Sequence, residues 1–297
     1  MELIWIPIAI LAALMQAVRT AAQKALNARL STWMTTYVRS LFGLPLSVVY
    51  LLAVMGYEGL GLPPLTATYL AYCFGAAAVQ VIATYLLIWL FQMRNFAVGT
   101  MLSKTDVMQA ALIGSVFFSE AISGIGWVAI LLTIAGVIAI SIGRAGAAGI
   151  GALGAKPTIV GLATGFFFCM SYLFLREASL GLSQGGFLYR AAWTVVIVGI
   201  FQVVFVGAYL GVTERSSFGA LKGLMPLCWF IGVTSAIGSI GWFTAMTLQN
   251  ASYVKSVGQI EVVFTLAISA FYFMEQINRL EFLGIAVIVA GVLMFLL

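Results

Sequence analysis

Charge is what this chain has least of. Of its 297 residues only 8% are Asp, Glu, Lys or Arg, while 63% are hydrophobic and the mean hydropathy is +1.12. A soluble domain carries about 25% charged residues, so fourteen basic and nine acidic side chains cannot coat a water-facing surface of this size. An ordinary soluble enzyme, a disordered chain and a nucleic-acid binder are thereby excluded. Histidine is absent altogether, which removes Ser-His and Cys-His nucleophile pairs, a His general base and any His-bearing metal site. The three cysteines, Cys73, Cys169 and Cys228, lie far apart inside apolar runs and read as small buried residues rather than disulfide or metal partners. No basic stripe stands behind the pI near 9.2. The surplus of +5 is scattered between apolar segments, which is how membrane proteins set their orientation. The glycines between Gly149 and Lys156 do not match phosphate-loop spacing, and neither a cofactor nor a metal is implied.

What is there is a series of long apolar runs. A spanning helix needs about 20 mostly apolar residues, and breaks at charges, Pro and Gly predict ten spans. They fall near 3–23, 32–55, 67–91, 96–118, 125–143, 158–176, 185–210, 220–246, 250–273 and 280–297. The first run starts at Leu3 without a basic lead, so it is expected to be a retained helix, not a cleaved signal. One connector differs in composition. Residues 146–157 are rich in Gly and Ala and close with Pro157, which predicts a flexible linker between residues 1–145 and 158–297.

Five spans therefore precede the linker and five follow it. Sliding the sequence by 155 positions aligns spans four and five with nine and ten without gaps. Asn95 falls on Asn250, Asp106 on Glu261, Phe118 on Phe273, Glu120 on Glu275, Ile122 on Ile277 and Gly136 on Gly291. Apolar matches are cheap in such a composition, but these polar and glycine matches are not. Because five is odd, the second unit must enter the membrane from the opposite side. Such inverted-topology repeats belong with secondary transporters, which keep their site between the halves.

These residues carry a resemblance. Asn95, the run Phe118-Ser119-Glu120-Ala121-Ile122 and Gly136 recur as Asn250-Ala251-Ser252-Tyr253-Val254, Phe273-Met274-Glu275-Gln276-Ile277 and Gly291. In order, spacing and duplication the chain resembles ten-helix EamA-type members of the drug/metabolite transporter superfamily, over nearly its whole length. The resemblance implies an all-α polytopic bundle: two inverted five-helix repeats around a central cavity lined by the first four spans of each half. The fourth and ninth spans depart from the family, carrying several charges where small or apolar residues are usual, so no substrate class carries over.

A charge near the bilayer centre costs about 2.5–3.5 kcal/mol on insertion scales and so needs a partner or a function. Six candidates lie in spans two, four, seven and nine: Arg39, Lys104, Asp106, Arg190, Lys255 and Glu261. Lys104 and Asp106, two positions apart, stand roughly 200° apart on a helix and cannot pair with each other. The repeat places Lys104 and Thr100 on the stripe of Lys255 and Gln259, and puts Asp106 with Glu261 on a second stripe. A structural reading makes all six internal ion pairs, such as Arg39 with Asp106 or Arg190 with Glu261. A functional reading adds Gln80, Ser235 and Gln259 and makes Arg39, Gln80, Lys104, Arg190, Ser235, Lys255 and Gln259 the substrate contacts. Four positive charges against two negative suit an anionic or zwitterionic ligand. Asp106 and Glu261, the only deep acids, are the candidates for proton coupling. Glu120 and Glu275, at short turns, are expected to cap helix starts.

The reading is a secondary transporter of a small polar metabolite, working by alternating access as an exporter in the inner membrane, with no enzyme activity. Its partners would be the substrate and the lipid bilayer, with possible coupling to protons and no nucleic acid, as a monomer or homodimer. The rivals are efflux of lipophilic or cationic drugs, a transport-inactive scaffold, and an intramembrane enzyme. Loop charge sets orientation: Lys24, Arg29, Arg94, Arg144, Lys156, Arg215, Lys222 and Arg279 fall on one side and only Arg176 on the other. Both termini are therefore expected outside the cytoplasm, although related transporters are generally drawn the other way round.

Overall fold

The computed structural model describes residues 3–90, 92, 103–151, 155–272 and 278–296. Asn95, Thr100, Phe273, Glu275 and Ile277 lie outside the described residues. Among the described residues there is helix and no strand, as lipid demands of a backbone that must satisfy its own hydrogen bonds.

In chain order the helices are α1 (Trp5–Asn27), α2 (Thr32–Glu58), α3 (Ala67–Leu90), α4 (Asp106–Phe117), α5 (Gly124–Gly151), α6 (Ala155–Leu180) and α7 (Phe187–Thr213). A short lead-in, Ser217–Ala220 and Leu221–Leu224, then opens α8 (Met225–Leu248). The ninth helix comes in two pieces, α9a (Ala251–Gly258) and α9b (Ile260–Tyr272), and α10 (Arg279–Leu293) closes the chain. Eight of these segments are long and apolar enough to cross a membrane. The other two, the fourth and the ninth, are short or broken.

Local chemistry sets the ends. Ser31 caps α2 by accepting from the Met34 amide at 3.1 Å, and Gly59, with φ of 67°, ends that helix in the left-handed conformation. Asn278 and Glu281 make a reciprocal capping box at the start of α10. Within the expected linker, α5 continues through Gly151 and α6 begins at Ala155, and residues 152–154 lie outside the described residues. Alanine is the best helix former, and no proline intervenes before Pro157.

Helix packing pairs the two halves with each other. α1 lies on α8 and α6 on α3, while α2 meets α7, α4 meets α9a and α5 meets α10. Exchanging the first five helices for the second five maps these principal pairs onto themselves. Outward-facing Val49, Leu52, Val116, Val204 and Phe282 are strongly exposed, as a lipid-facing surface requires. The three cysteines are free and buried. Glycines allow close approach: a Cβ at Gly241 would sit 2.9 Å from the Ala12 side chain, and one at Gly284 only 2.6 Å from the Gly136 carbonyl.

Candidate functional site

The fourth and ninth helices break at repeat-equivalent points. Ser103 is helical, Lys104 and Thr105 form a turn, and helix resumes at Asp106; in the second half the turn is Gln259, between Gly258 and Ile260. Under the 155-residue shift Lys104 corresponds to Gln259 and Asp106 to Glu261. Each acid therefore lies in the first turn of a restarted helix, and Lys255 lies in the last turn of α9a. Helix ends favour those signs, because exposed N–H groups attract anions and exposed carbonyls attract cations.

The charges pair across the repeats rather than as sequence reasoning suggested. Lys104 Nζ donates to Glu261 Oε2 at 2.7 Å, and Lys255 Nζ lies 3.9 Å from Asp106 Oδ2. Lys255 also lies over two rings, 4.5 Å from the Tyr172 centroid and 4.4 Å from that of Trp242. The suggested Arg39–Asp106 and Arg190–Glu261 pairs do not form. Arg190 Nε instead donates to the Gly185 carbonyl at 3.0 Å, in the first turn of α7. Arg39 donates to Gln80 and Gln202. Ser235 is buried on α8 near Arg39, and the buried Gln259 carboxamide oxygen has no hydrogen-bond partner among the described residues.

Several members of the site were not anticipated. Gln16 on α1 donates through Nε2 to Glu261 Oε2 at 2.8 Å and accepts at Oε1 from Trp242 Nε1 at 2.9 Å. Arg19, one turn further along α1, is only 7% exposed and lies within electrostatic reach of Glu261 and Tyr172. Exchanging Arg190 for Arg19 leaves the tally of deep charges unchanged, at four positive (Arg19, Arg39, Lys104, Lys255) and two negative (Asp106, Glu261). A cavity of about 50 Å³ lies between Lys104, Asp106, Tyr172, Lys255, Glu261 and Gln16. That is room for a few waters, whereas ligand pockets run to about 300–1,000 Å³.

A second polar cluster closes one end of the bundle. The turn after α4 puts Ser119 at φ 55°, in the left-handed region, and both Phe118 and Glu120 donate their amides to the Gly114 carbonyl at 3.0 Å. Glu120 is thereby aimed at α9a, where it accepts from the Ala251 amide at 3.0 Å, with Arg176 Nε 3.5 Å away. The capping role expected of Glu120 is met, but on the ninth helix instead of the fifth. Burial pushes the Glu120 carboxyl above its ordinary pKa, against the pull of the amides and Arg176. Asn250 joins the two sides by donating to the Ala121 carbonyl at 2.9 Å and accepting from Arg176 at 3.2 Å.

Fold and centre together define a multi-pass, all-α integral membrane protein with four charges paired between two broken helices. Residues 3–142, most of the first five helices, match the model of the EamA-like transporter family. The first half of the chain is thus EamA-like, of the drug/metabolite transporter superfamily. No curated protein matches it. Among solved structures, one described only as a crystal structure of a protein is similar at TM-score 0.68 and 12% identity, covering 99% of this chain and 96% of that one. At that identity the likeness speaks for the fold, and it spans both halves.

Proposed function

We propose that the protein is a secondary active transporter that exports a small polar metabolite, anionic or zwitterionic, as its inverted halves rock about the centre between α4 and α9. The observation that carries this reading is the pair of helix breaks at equivalent repeat positions, each flanked by charges that bind the opposite half. Two ion pairs that cross the halves are contacts that rocking must break, and a charged substrate can replace them. The two surplus positive charges set the preferred sign. The cavity, closed to all but water in this conformation, must widen as Lys104 leaves Glu261 or Lys255 leaves Asp106.

Of the two acids, Asp106 is the less tightly held: its ammonium partner is 3.9 Å away and its Oδ1 has no hydrogen-bond partner among the described residues. Proton coupling therefore falls to Asp106 before Glu261, which both Lys104 and Gln16 hold. The localisation we infer is the inner membrane, with both termini outside the cytoplasm by the Lys/Arg bias; a C-terminal reporter active only in the cytoplasm should stay dark.

One observation favours a second reading. Asp106, Tyr172 and Trp242 already cage one ammonium, that of Lys255, and such cages recognise organic cations. Efflux of lipophilic cations would use that cage with Lys255 displaced. Transport by purified protein in liposomes, screened over amino acids, organic acids and quaternary amines, separates the two. Saturable export of acids or zwitterions supports the first reading. Transport of cations that no anion inhibits refutes it in favour of the second.

A further inference from the structure

Beside the ion-pair cavity lies a smaller void of about 30 Å³, lined by Arg39, Ser40, Gly43, Gln80, Gln202 and Ser235 among others. Arg39 is buried there without a carboxylate at ion-pair distance among the described residues. One terminal nitrogen donates to the carboxamide oxygens of Gln80 and Gln202, each at 3.1 Å. Those amides are locked in turn, Gln202 Nε2 donating to Gln80 Oε1 at 2.5 Å and Ser40 Oγ donating to Gln202 Oε1 at 2.8 Å. Neutral dipoles aim the guanidinium but leave its charge uncancelled.

The acids of the centre are already engaged by lysines, and the charged side chain that bears on Arg39 is another cation, Arg19. On the facing helix, Ser235 is 3% exposed and lines the same void, yet its Oγ has no hydrogen-bond partner among the described residues. A buried hydroxyl of this kind is costly to leave unsatisfied.

We propose that Arg39 and Ser235, with Gln80 and Gln202 as the frame, form a subsite for one compact monoanion, a carboxylate group or a halide ion. Both residues donate hydrogen bonds, as such a ligand requires. The void has room for one or two waters, which suits a group of that size and excludes a phosphate. The subsite deepens the proposed function, and rests on it, in naming the end of the substrate that is held here. The binding itself is separable from transport.

Thermal unfolding of the purified full chain in detergent tests this, using sodium formate, chloride or a bulky organic sulfonate at matched pH and ionic strength. Formate should raise Tm saturably and the sulfonate should not. Arg39→Lys should raise the half-saturating formate concentration by about tenfold, since a point charge replaces a fixed fork, and Ser235→Ala by about threefold. Chloride that competes with formate supports a free-ion site, while formate acting alone supports a carboxylate of a larger substrate. No saturable formate effect, an equal effect from the sulfonate, or unchanged half-saturation in Ser235→Ala would each overturn the subsite. Should formate bind as expected while no solute is transported, the transport reading fails and the subsite stands.

Discussion

Two of the repeat-equivalent helix pairs do opposite things. α5 and α10 meet backbone to backbone: a Cβ at Gly136 would sit 2.7 Å from the Gly284 carbonyl, and one at Gly291 would sit 3.1 Å from the Ala129 carbonyl. In lipid, where apolar surfaces gain nothing by leaving water, such close packing is what holds helices together. α4 and the two parts of α9 meet instead through charges at interrupted ends, around a small void. On the proposed function, the first pair is a fixed seam and the second an adjustable centre. Dispersion contacts are lost as soon as backbones part, whereas an ion pair can trade its partner for a ligand or water.

The comparison breaks most sharply at the centre. Glu261→Gln leaves the half-buried Lys104 without its acid and should cost about 3 kcal/mol, read as a lower midpoint of unfolding in detergent. Lys104→Met combined with Glu261→Met should recover most of that loss, because replacing both charges of a buried pair by apolar groups is often neutral or better. At the seam, Gly284→Leu should destabilise by about 1–3 kcal/mol through overpacking. The folded fraction should keep its substrate affinity, which liposome uptake at several substrate concentrations measures. A change in affinity would mean that the seam also moves.

Smaller effects sharpen the contrast at the edges. Asn278 caps α10 and also donates to the Gly143 carbonyl at 2.8 Å, so Asn278→Ala should cost about 1 kcal/mol without altering transport per folded molecule. Glu120 gives the smallest effect, a pH slope. Its carboxyl keeps its proton to higher pH in the folded protein than in the unfolded chain. Its contribution to stability is therefore greatest below the unfolded pKa and is lost as pH rises through the folded one. Glu120→Gln should flatten that part of the Tm–pH curve, and an unchanged curve would remove Glu120 as its source.

Much of the fold was legible because charges and glycines stand out against an apolar background. The all-helical polytopic fold, eight of its spans, and the burial of Asp106, Lys255 and Glu261 all follow from that contrast. Arg19 was missed because it looked like the flank of a span ending near residue 23, whereas α1 runs to Asn27 and carries it inside. Gln16 and Gln202, being neutral, gave no such signal. The breaks had one local hint, Gly258, where a Cβ would press within 3.0 Å of the Trp242 indole. The fourth helix offers no glycine at its break. Which acid meets which base depended on the docking of the two halves, and no spacing within one helix encodes that.

The most direct measurement is uptake by proteoliposomes carrying either the unaltered protein or the Lys104→Met, Glu261→Met pair, across a panel of amino acids and organic acids. The neutral pair keeps the bundle folded without the crossing charges, so stability and transport are uncoupled. The account predicts saturable transport of at least one anionic or zwitterionic solute by the unaltered protein, and its loss in the folded variant. Equal transport by both would contradict the claim that the charges between α4 and α9 are where the substrate is handled.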